Sequence, residues 1–309
     1  MDRFDAMSML LAVTDHGSFS AASRALQVPL ATVSRKVAQL EAQLGTPLLI
    51  RTTRTLELTP AGIGYIASAR SILEQLDEAE RKATGELSQP KGELIVTAPI
   101  LFGRLHAMPI ICDFLAAHPR IDVRLLLTDR NLHLIDDHID IAIRIGALRD
   151  SAMVAKPVGG VRRVTCASPA LLHRYGTPAT PADLLAMPCV ALDTGAHPTG
   201  WRFDNADPAG GSLDLDLSPR LSVSTADAAM AAAVRGVGVV RLFHYQAAAA
   251  LADGSLQIIL AAFEAAPAPV NLLYASRGYM PMKRRKFLDF AAPRLHDDLR
   301  SIKQILSKT

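Results

Sequence analysis

Two short amphipathic segments on either side of Pro29 constrain this chain more than any other feature. Apolar residues recur in both at three- and four-residue spacing, which places them on one face of a helix. They are Phe19, Ala22 and Leu26 in the first segment, and Val33, Val37, Leu40 and Leu44 in the second. Val28 and Pro29 separate the two stripes and predict a tight turn. Two helices with one apolar stripe each, joined by such a turn, indicate a helix-turn-helix.

The solvent-facing side of the second helix lacks the Lys and Glu that a surface helix usually presents. It carries instead Ala31, Arg35, Ala38 and Ala42, with Thr32, Ser34 and Gln39 on its flanks. Short side chains allow a helix axis to descend into a groove, and Arg35 can reach a guanine edge or a phosphate. The pattern favours a probe for the DNA major groove over the alternative, a plain two-helix bundle.

Positive charge is concentrated in the same region, although the whole chain carries a formal net charge of only +3. Between residues 24 and 54 five cations accompany a single acid, Glu41. The cations are Arg24, Arg35, Lys36, Arg51 and Arg54. A local excess of this kind suits a phosphate backbone, whereas the small total charge argues against a general polyelectrolyte binder.

The next segment predicts a two-stranded hairpin followed by a long helix. Residues 46–59 (TPLLIRTTRTLELT) are rich in Thr and Leu, and they carry Arg51 and Arg54 where a wing would lie. Pro60 then opens a helix, because proline is well tolerated at the first helical position. Its apolar stripe comprises Ile66, Ala69, Leu73, Leu76, Ala83 and Leu87, and Glu80 interrupts it at one position. The stripe predicts either packing on the chain's own domain or, as we favour, a short coiled-coil seam with a partner helix.

Beyond a break at residues 89–92 (QPKG), short apolar strands alternate with helices. The strand-like runs are ELIVTA, DVRLLLT, DIAIRI, RRVTCAS, CVAL, GVVRLF, LQIIL and VNLLYAS. This order predicts an α/β domain with a mainly parallel sheet that is covered by helices on both faces. A chain of 309 residues, half of them apolar, is long enough for two or three such domains.

Several classes of function find no support in the residues. Three widely spaced cysteines indicate reduced thiols rather than disulfides or a zinc site. The N-terminus (MDRFDAMSML) carries acids where a signal peptide needs basic residues, and we expect no membrane span. We find no GxSxG, Walker or dinucleotide fingerprint, and we predict no catalytic site, no metal site and no cofactor. These features predict a cytoplasmic protein that is not an enzyme.

The order of motifs resembles that of the LysR-type transcriptional regulators over essentially the full length. The residues that carry the likeness are SFSAASRAL, VSRKVAQLEAQLGTPLLIRTTRTLELTPAG, APILFGRL, DIAIRIG, ASPALL and the GVGVV region. The resemblance implies a winged helix-turn-helix at residues 1–59 and a dimerising linker helix at residues 60–88. It also implies an effector-binding domain at residues 92–301 with a type 2 periplasmic-binding-protein-like fold. Lobe I would comprise residues 92–161 and 267–301, and lobe II residues 162–266.

The family's DNA contacts fall at the start of the recognition helix and on the wing. Together with the flanking positions singled out above, the predicted contacts are Ser18, Ser20, Pro29, Leu30, Ala31, Thr32, Ser34, Arg35, Lys36, Gln39, Arg51 and Arg54. Many members begin this helix with serine and glutamine, whereas this chain has Pro29 and Leu30. Leu30 could instead touch a thymine methyl group, which would alter the DNA sequence that is read. Arg35 is the strongest candidate.

The cleft between the lobes should be lined by strand ends and helix N-termini. The predicted effector contacts are Pro99, Ile100, Leu101, Thr128, Arg144 and Thr225. Helix N-termini and an arginine together favour an anionic ligand, often a carboxylate. Arg144 could equally form a structural ion pair with Asp140 or Asp129.

The sequence therefore predicts a ligand-responsive, sequence-specific DNA-binding transcriptional regulator. Its expected partners are double-stranded promoter or operator DNA, a small anionic effector, and RNA polymerase. We expect a homodimer that pairs into a homotetramer. The alternative is a small-molecule binding protein or an enzyme that is built on the same two-lobed fold.

Overall fold

The computed structural model describes residues 2–51, 56–83, 90–130, 139–147, 153–193, 200–204, 211–275 and 280–306. The chain divides into two compact units, of which the first consists mainly of residues 1–91 and the second mainly of residues 92–309.

The first unit is helical with one small hairpin. Its elements are α1 (Arg3–Asp15), α2 (Phe19–Leu26), α3 (Leu30–Leu44), β1 (Leu49–Arg51), β2 (Leu56–Leu58) and α4 (Pro60–Ala83). The predicted helix pair is confirmed as α2 and α3, and the hairpin as the antiparallel pair β1–β2. The core of this unit contains the predicted stripe residues Ala22, Val33, Val37 and Leu40, together with apolar residues of α1.

Two members of the predicted stripes do not reach this core. Leu26 and Leu44 are 37% and 41% exposed, although the spacing assigned them to the buried faces. Each is the last residue of its helix. The left-handed residues that follow, Gln27 and Gly45, turn the chain away before the stripe meets another element.

Capping residues set the boundaries of α2. The Ser18 hydroxyl accepts a hydrogen bond from the Ala21 N–H at 3.1 Å, and this bond opens the helix. At the other end, Gln27 adopts φ 55°, and the Ser23 hydroxyl donates to the Val28 carbonyl at 2.7 Å. These bonds shape the turn that leads into Pro29 and α3.

The second unit contains two five-stranded sheets. Lobe I has strand order β4-β3-β5-β14-β6, and lobe II has strand order β11-β8-β12-β7-β13. The strands of lobe I are β3 (Gly92–Ala98), β4 (Ile121–Leu127), β5 (Ile141–Ile145), β6 (Met153–Val161) and β14 (Ala268–Ala275). Those of lobe II are β7 (Arg163–Ala167), β8 (Cys189–Leu192), β11 (Leu221–Val223), β12 (Val239–Phe243) and β13 (Gln257–Ile259). A separate hairpin is formed by β9 (Trp201–Asp204) and β10 (Ser212–Leu215).

Helices cover both sheets. In lobe I, α5 (Ile100–Phe102) continues through a π-helical turn (Gly103–Ala107) into α6 (Met108–Ala117). The helices of lobe II are α7 (Pro169–Tyr175), α8 (Ala226–Val234) and α9 (His244–Ala252), with short 3-10 helices at Pro181–Ala186 and Ala261–Phe263. The last helix is α10 (Met282–Leu306), and its Phe287 ring packs edge-on against Phe114 of α6 at 5.1 Å.

The α/β fold class is confirmed, but the sheets are mixed rather than mainly parallel. β3, β4 and β5 run parallel, whereas β14 pairs antiparallel with both β5 and β6. β6 was missed because Pro157, Gly159 and Gly160 interrupt its apolar pattern. The strand tolerates them because it lies at the sheet edge, and its pairing with β14 skips Val158 in an irregularity.

The stretch Ile100–Ala117 is apolar enough to pass for a membrane span by length and composition, with a mean hydropathy of 1.5. The sequence analysis expected no such stretch. In the structure Phe102 and Phe114 are fully buried, and α6 packs on β4. Leu105 and Met108 of the same segment are 44% and 40% exposed, so the segment is only partly buried in the core of lobe I.

Candidate nucleic-acid interface and effector cleft

The recognition helix α3 has two contrasting faces. Val33, Val37 and Leu40 are 0% exposed, and they fix one face against the core. The opposite face exposes Ala31, Arg35, Ala38, Gln39 and Ala42. Arg35 is therefore a long cation on a surface of otherwise short or neutral side chains, which is the geometry of a groove-reading helix.

The flanks of α3 divide between exposed residues and residues that are held within the domain. Lys36 Nζ lies 2.6 Å from the Asp5 carboxylate of α1, so its charge is already paired. Thr32 and Ser34 are half-buried. This arrangement leaves Arg35 as the α3 cation that is exposed for a ligand.

At the N-terminal end of α3, Pro29 precedes the helix and Leu30 is its first residue. The Leu30 side chain is 46% exposed, and Pro29 and Ala31 are exposed beside it. Ser20 is also exposed, whereas the Ser18 hydroxyl is used as the cap of α2. An apolar side chain thus stands where many LysR-type helices present a polar one.

The wing is the antiparallel hairpin that β1 and β2 form. Leu49, Ile50 and Arg51 pair with Leu58, Glu57 and Leu56 respectively. Arg51 thus lies in β1, while Arg54 falls outside the described residues.

The base of the wing is held by hydrogen bonds from α3 and from Thr59, the residue before α4. Glu41 Oε1 accepts from the Leu48 and Leu49 N–H groups at 2.8 and 3.0 Å. From the other side, the Thr59 N–H donates to the Leu48 carbonyl at 3.0 Å. Sequence patterns did not reveal these bonds.

The predicted dimer stripe on α4 changes its environment along the helix. Ile66 and Ala69 are 2% and 0% exposed, and Ile66 belongs to the core of the first unit. Leu73 and Leu76 are half-buried, and Ala83 is exposed. Leu73 also packs against the core that contains Ile66, so a seam with a partner helix remains a prediction for Leu76 and Ala83. Leu87 lies outside the described residues.

In lobe I, the predicted cleft residues meet at the carboxyl ends of β3 and β4. Pro99 and Ile100 begin α5 after β3, and Leu101 is nearly buried behind them. The Ile100 N–H donates to Asp129 Oδ1 at 3.1 Å, so Asp129 caps α5. Next to it, the Thr128 hydroxyl accepts from the Arg130 N–H at 3.1 Å. Burial raises the pKa of Asp129, and the Ile100 N–H and nearby Arg144 oppose this rise.

Arg144 has an unsatisfied polar group in this cleft. Its Nη1 donates a long bond of 3.4 Å to the Ile143 carbonyl, and its Nη2 is buried with no hydrogen-bond partner among the described residues. Burial lowers the pKa of Arg144, and nearby Asp129 partly offsets this effect. Asp140, the other candidate partner, accepts a bond from the Ile95 N–H at 2.9 Å.

Lobe II contributes the start of α8 to the same region. Thr225 precedes the helix, and a hydrogen bond from its hydroxyl lowers the pKa of Asp227 in the first turn. The negative charge of Asp227 also contributes to the raised pKa of Asp129. Asp129 and Asp227 are therefore two further cleft candidates, which no sequence pattern indicated.

An aromatic cluster joins the two lobes beside these charged groups. The Tyr245 ring of α9 packs edge-on against Phe102 at 5.5 Å and His106 at 5.4 Å. Burial raises the pKa of Tyr245 well above its usual value, and His106 Nδ1 lies 2.6 Å from Asp298. Nothing in the local sequence singles out these three rings, because they come from segments about 140 residues apart.

The chain also passes between the lobes at residues 161–163 and 264–268. Arg162 donates from Nε and Nη2 to Glu264 Oε2 at 3.0 and 2.8 Å. This ion pair, which we call the crossover tie, links the two crossing segments. The Glu264 side chain is 11% exposed, which makes the pair less screened by water than a surface ion pair.

Comparisons with known proteins agree with this architecture. Residues 4–63 match the bacterial regulatory helix-turn-helix family of the lysR type, and residues 87–295 match the LysR substrate binding domain. An HTH-type transcriptional regulator of Xanthomonas campestris is 34% identical, over 93% of this chain and 83% of its own length.

Solved structures show the same fold. CrgA of Neisseria meningitidis, a LysR-type transcriptional regulator, is 29% identical with a TM-score of 0.59, over 94% of this chain and 98% of that one. Full-length LysG of Corynebacterium glutamicum with bound effector Arg has a TM-score of 0.67 at 22% identity, over 96% and 99% of the two chains. Transcriptional regulation thus replaces the enzyme and solute-binding alternatives, and the chain belongs to the LysR family of DNA-binding, effector-responsive transcriptional regulators.

Proposed function

We propose that α3 enters the DNA major groove and that Arg35 is its principal base-reading residue. The observation that carries this proposal is the exposed face of α3, where the Arg35 side chain stands among Ala31, Ala38 and Ala42. Leu30 would contact a thymine methyl group, and Arg51 and Arg54 would contact phosphates. Pro29, Thr32, Ser34, Gln39, Ser18 and Ser20 would line the path, whereas Lys36 would act mainly through its ion pair with Asp5.

Arg35→Ala is expected to weaken binding to the regulator's own promoter region by about 1–3 kcal/mol and to relax the preference for guanine. A gel-shift titration against promoter and random DNA measures both effects. Gln43→Ala is the matched control, because Gln43 is exposed near the end of the same helix. Unchanged promoter binding by Arg35→Ala would contradict the proposal.

We further propose that the interlobe cleft binds a small effector with an anionic group that pairs with Arg144. Support comes from the buried Nη2 of Arg144 without a partner in the described part of the chain. An unsatisfied buried guanidinium is costly, so a carboxylate at this position would gain a charge-assisted hydrogen bond. Pro99, Ile100, Leu101, Thr128 and Thr225 would form the remaining walls.

The functional unit in this proposal is a cytoplasmic homodimer joined through α4, which pairs into a tetramer. A dimer would place two recognition helices about 34 Å apart on one face of DNA. Effector binding would shift an existing equilibrium of lobe closure and thereby alter DNA binding or contact with RNA polymerase. The domain limits proposed for this unit are residues 1–59, 60–88 and 92–301.

A further inference from the structure

We propose that Glu41 is a positioning residue for DNA recognition, which holds the wing in a fixed direction relative to α3. This proposal rests on the mode of DNA binding proposed above, in which α3 and the wing contact the duplex together. It adds a role for the single acid in a stretch that otherwise carries five cations.

Two hydrogen bonds join α3 to the wing. Glu41 lies in the last turn of α3, and its Oε1 accepts from the Leu48 and Leu49 N–H groups at 2.8 and 3.0 Å. Leu49 is the first residue of β1. Hydrogen bonds to an ionised acceptor are stronger than neutral ones, and two bonds to consecutive amides also fix a direction.

Thr59, the residue before α4, and Gly62 of α4 hold the same segment from the other side. The Leu48 carbonyl accepts from the Thr59 N–H at 3.0 Å, and the Thr59 hydroxyl donates to the Pro47 carbonyl at 2.8 Å. Gly62 packs so closely that a Cβ atom there would lie 2.1 Å from the Leu48 oxygen. The Leu48 side chain is 1% exposed. The base of the wing is therefore clamped between α3 and α4.

These bonds affect DNA binding because they orient the wing. β1 runs from Leu49 to Arg51, so the peptides held by Glu41 set the direction in which the wing leaves the domain. Without Glu41 the wing stays attached to the chain, but two of the bonds that orient it are lost. Ordering the wing on DNA would then cost conformational entropy at the moment of binding. Contacts of α3 itself need not change.

Two variants of the full-length protein separate positioning from charge. Glu41→Gln removes the charge but keeps an Oε1 acceptor, whereas Glu41→Ala removes both. Hydroxyl-radical footprinting on the promoter region reports the backbone contacts that flank the site, and protection of guanine N7 reports contacts in the major groove. We expect Glu41→Gln to retain both patterns. Glu41→Ala should lose the flanking protection and about tenfold in affinity, and should retain the major-groove pattern.

Salt dependence and a double-mutant cycle test the same idea without a footprint. The slope of log affinity against log salt should fall by about 0.9 for each phosphate contact that Glu41→Ala loses. In an Arg51→Ala background, Glu41→Ala should cause a smaller further loss than in the wild type, because both changes act on the wing. A role in stability alone predicts independent, additive losses.

Several outcomes would overturn the proposal. Identical footprints for Glu41→Ala and wild type would do so, as would additive losses in the cycle or equally tighter binding by both Glu41 variants. If circular dichroism shows that Glu41→Ala does not fold, Glu41→Asp replaces it, since its shorter side chain cannot span both amides, and the same criteria apply. Intact promoter binding by Arg35→Ala would instead reject the underlying mode of DNA binding, which keeps the two failures distinct.

Discussion

Gly62 lies at the junction of the wing and the linker helix α4, where a close contact with the Leu48 backbone restricts the position to glycine. Its place inside α4 gives no hint of special backbone geometry, yet a Cβ atom would meet the Leu48 carbonyl oxygen at 2.1 Å. The contact is with backbone, which cannot swing aside as a flexible side chain would. The glycine in the TPAG segment is therefore required by packing against the wing.

Gly62→Ala is expected to destabilise the first unit by about 1–3 kcal/mol through overpacking. Gly64→Ala, two residues further along the same helix, meets nothing within 4 Å and should stabilise by about 0.4–1 kcal/mol. Urea unfolding followed by circular dichroism compares the two. Equal effects of the two substitutions would show that the close approach to Leu48 is relieved at no cost.

The stability of lobe II is expected to depend on pH through His244. Burial and the nearby charge of Arg162 lower its pKa to about 4 from 6.5. The neutral ring therefore contributes stability that is fully present above pH 6.5. As the pH falls from 6.5 towards 4, the unfolded chain binds a proton that the folded chain does not, and this stability is lost.

We expect this loss to be on the order of 2 kcal/mol, and His244→Gln should make the pH dependence correspondingly flatter. Trp201 is the single tryptophan and lies in lobe II, so its fluorescence during urea unfolding reports on this lobe. His173→Gln serves as control, since His173 is exposed on α7. An unaltered profile for His244→Gln would contradict the assignment.

At the scale of elements, the spacing of apolar residues predicted those features that depend on the local sequence alone. The two faces of α3 follow from the spacing of Val33, Val37 and Leu40, and the Ser18 cap follows from its place before an apolar segment. β6 escaped because Pro157 and its glycines are tolerated only where the sheet ends, and that position depends on the whole topology.

Contacts between residues that are far apart in the sequence could not be predicted from local patterns. Asp129 caps α5 from 29 residues away, and Tyr245 meets Phe102 from the other lobe. Glu41 is closer in sequence, but a side chain that binds two backbone amides leaves no periodic signal. Strand and helix ends could therefore be predicted as cleft candidates, whereas Asp129 and Asp227 become candidates only in the folded chain.

Helix α4 offers an element-scale test of the dimer seam. Leu76→Asp should weaken dimerisation if the half-buried part of the stripe meets a partner helix, because an unpaired carboxylate in a hydrophobic seam is costly. Light scattering during size-exclusion chromatography measures the mass across a dilution series. Glu80→Asp is a control that keeps the charge of an exposed position on the same helix. A dimer of undiminished stability would move the interface elsewhere.

At the scale of the whole molecule, effector binding should be separable from DNA binding. Arg144→Gln is expected to abolish the thermal stabilisation that a matching carboxylate confers, which for the wild type is about 2.7 kcal/mol at a hundredfold excess over Kd. Its promoter affinity without effector should equal that of the wild type, because Arg144 lies in the second unit. A screen of small aromatic and aliphatic acids, followed by gel shifts with and without the best one, makes the comparison. Retained stabilisation in Arg144→Gln would rule out its role as the anion contact.

The crossover tie has a consequence for how such a switch is tuned. Arg162 and Glu264 join the two segments through which the chain passes between the lobes, and neither belongs to the candidate effector contacts. A substitution in this pair would change the flexibility of the two segments between the lobes, and the effect would be the same for every effector. A change in the cleft would instead favour one effector over another. Sensitivity and selectivity can therefore vary independently in this fold.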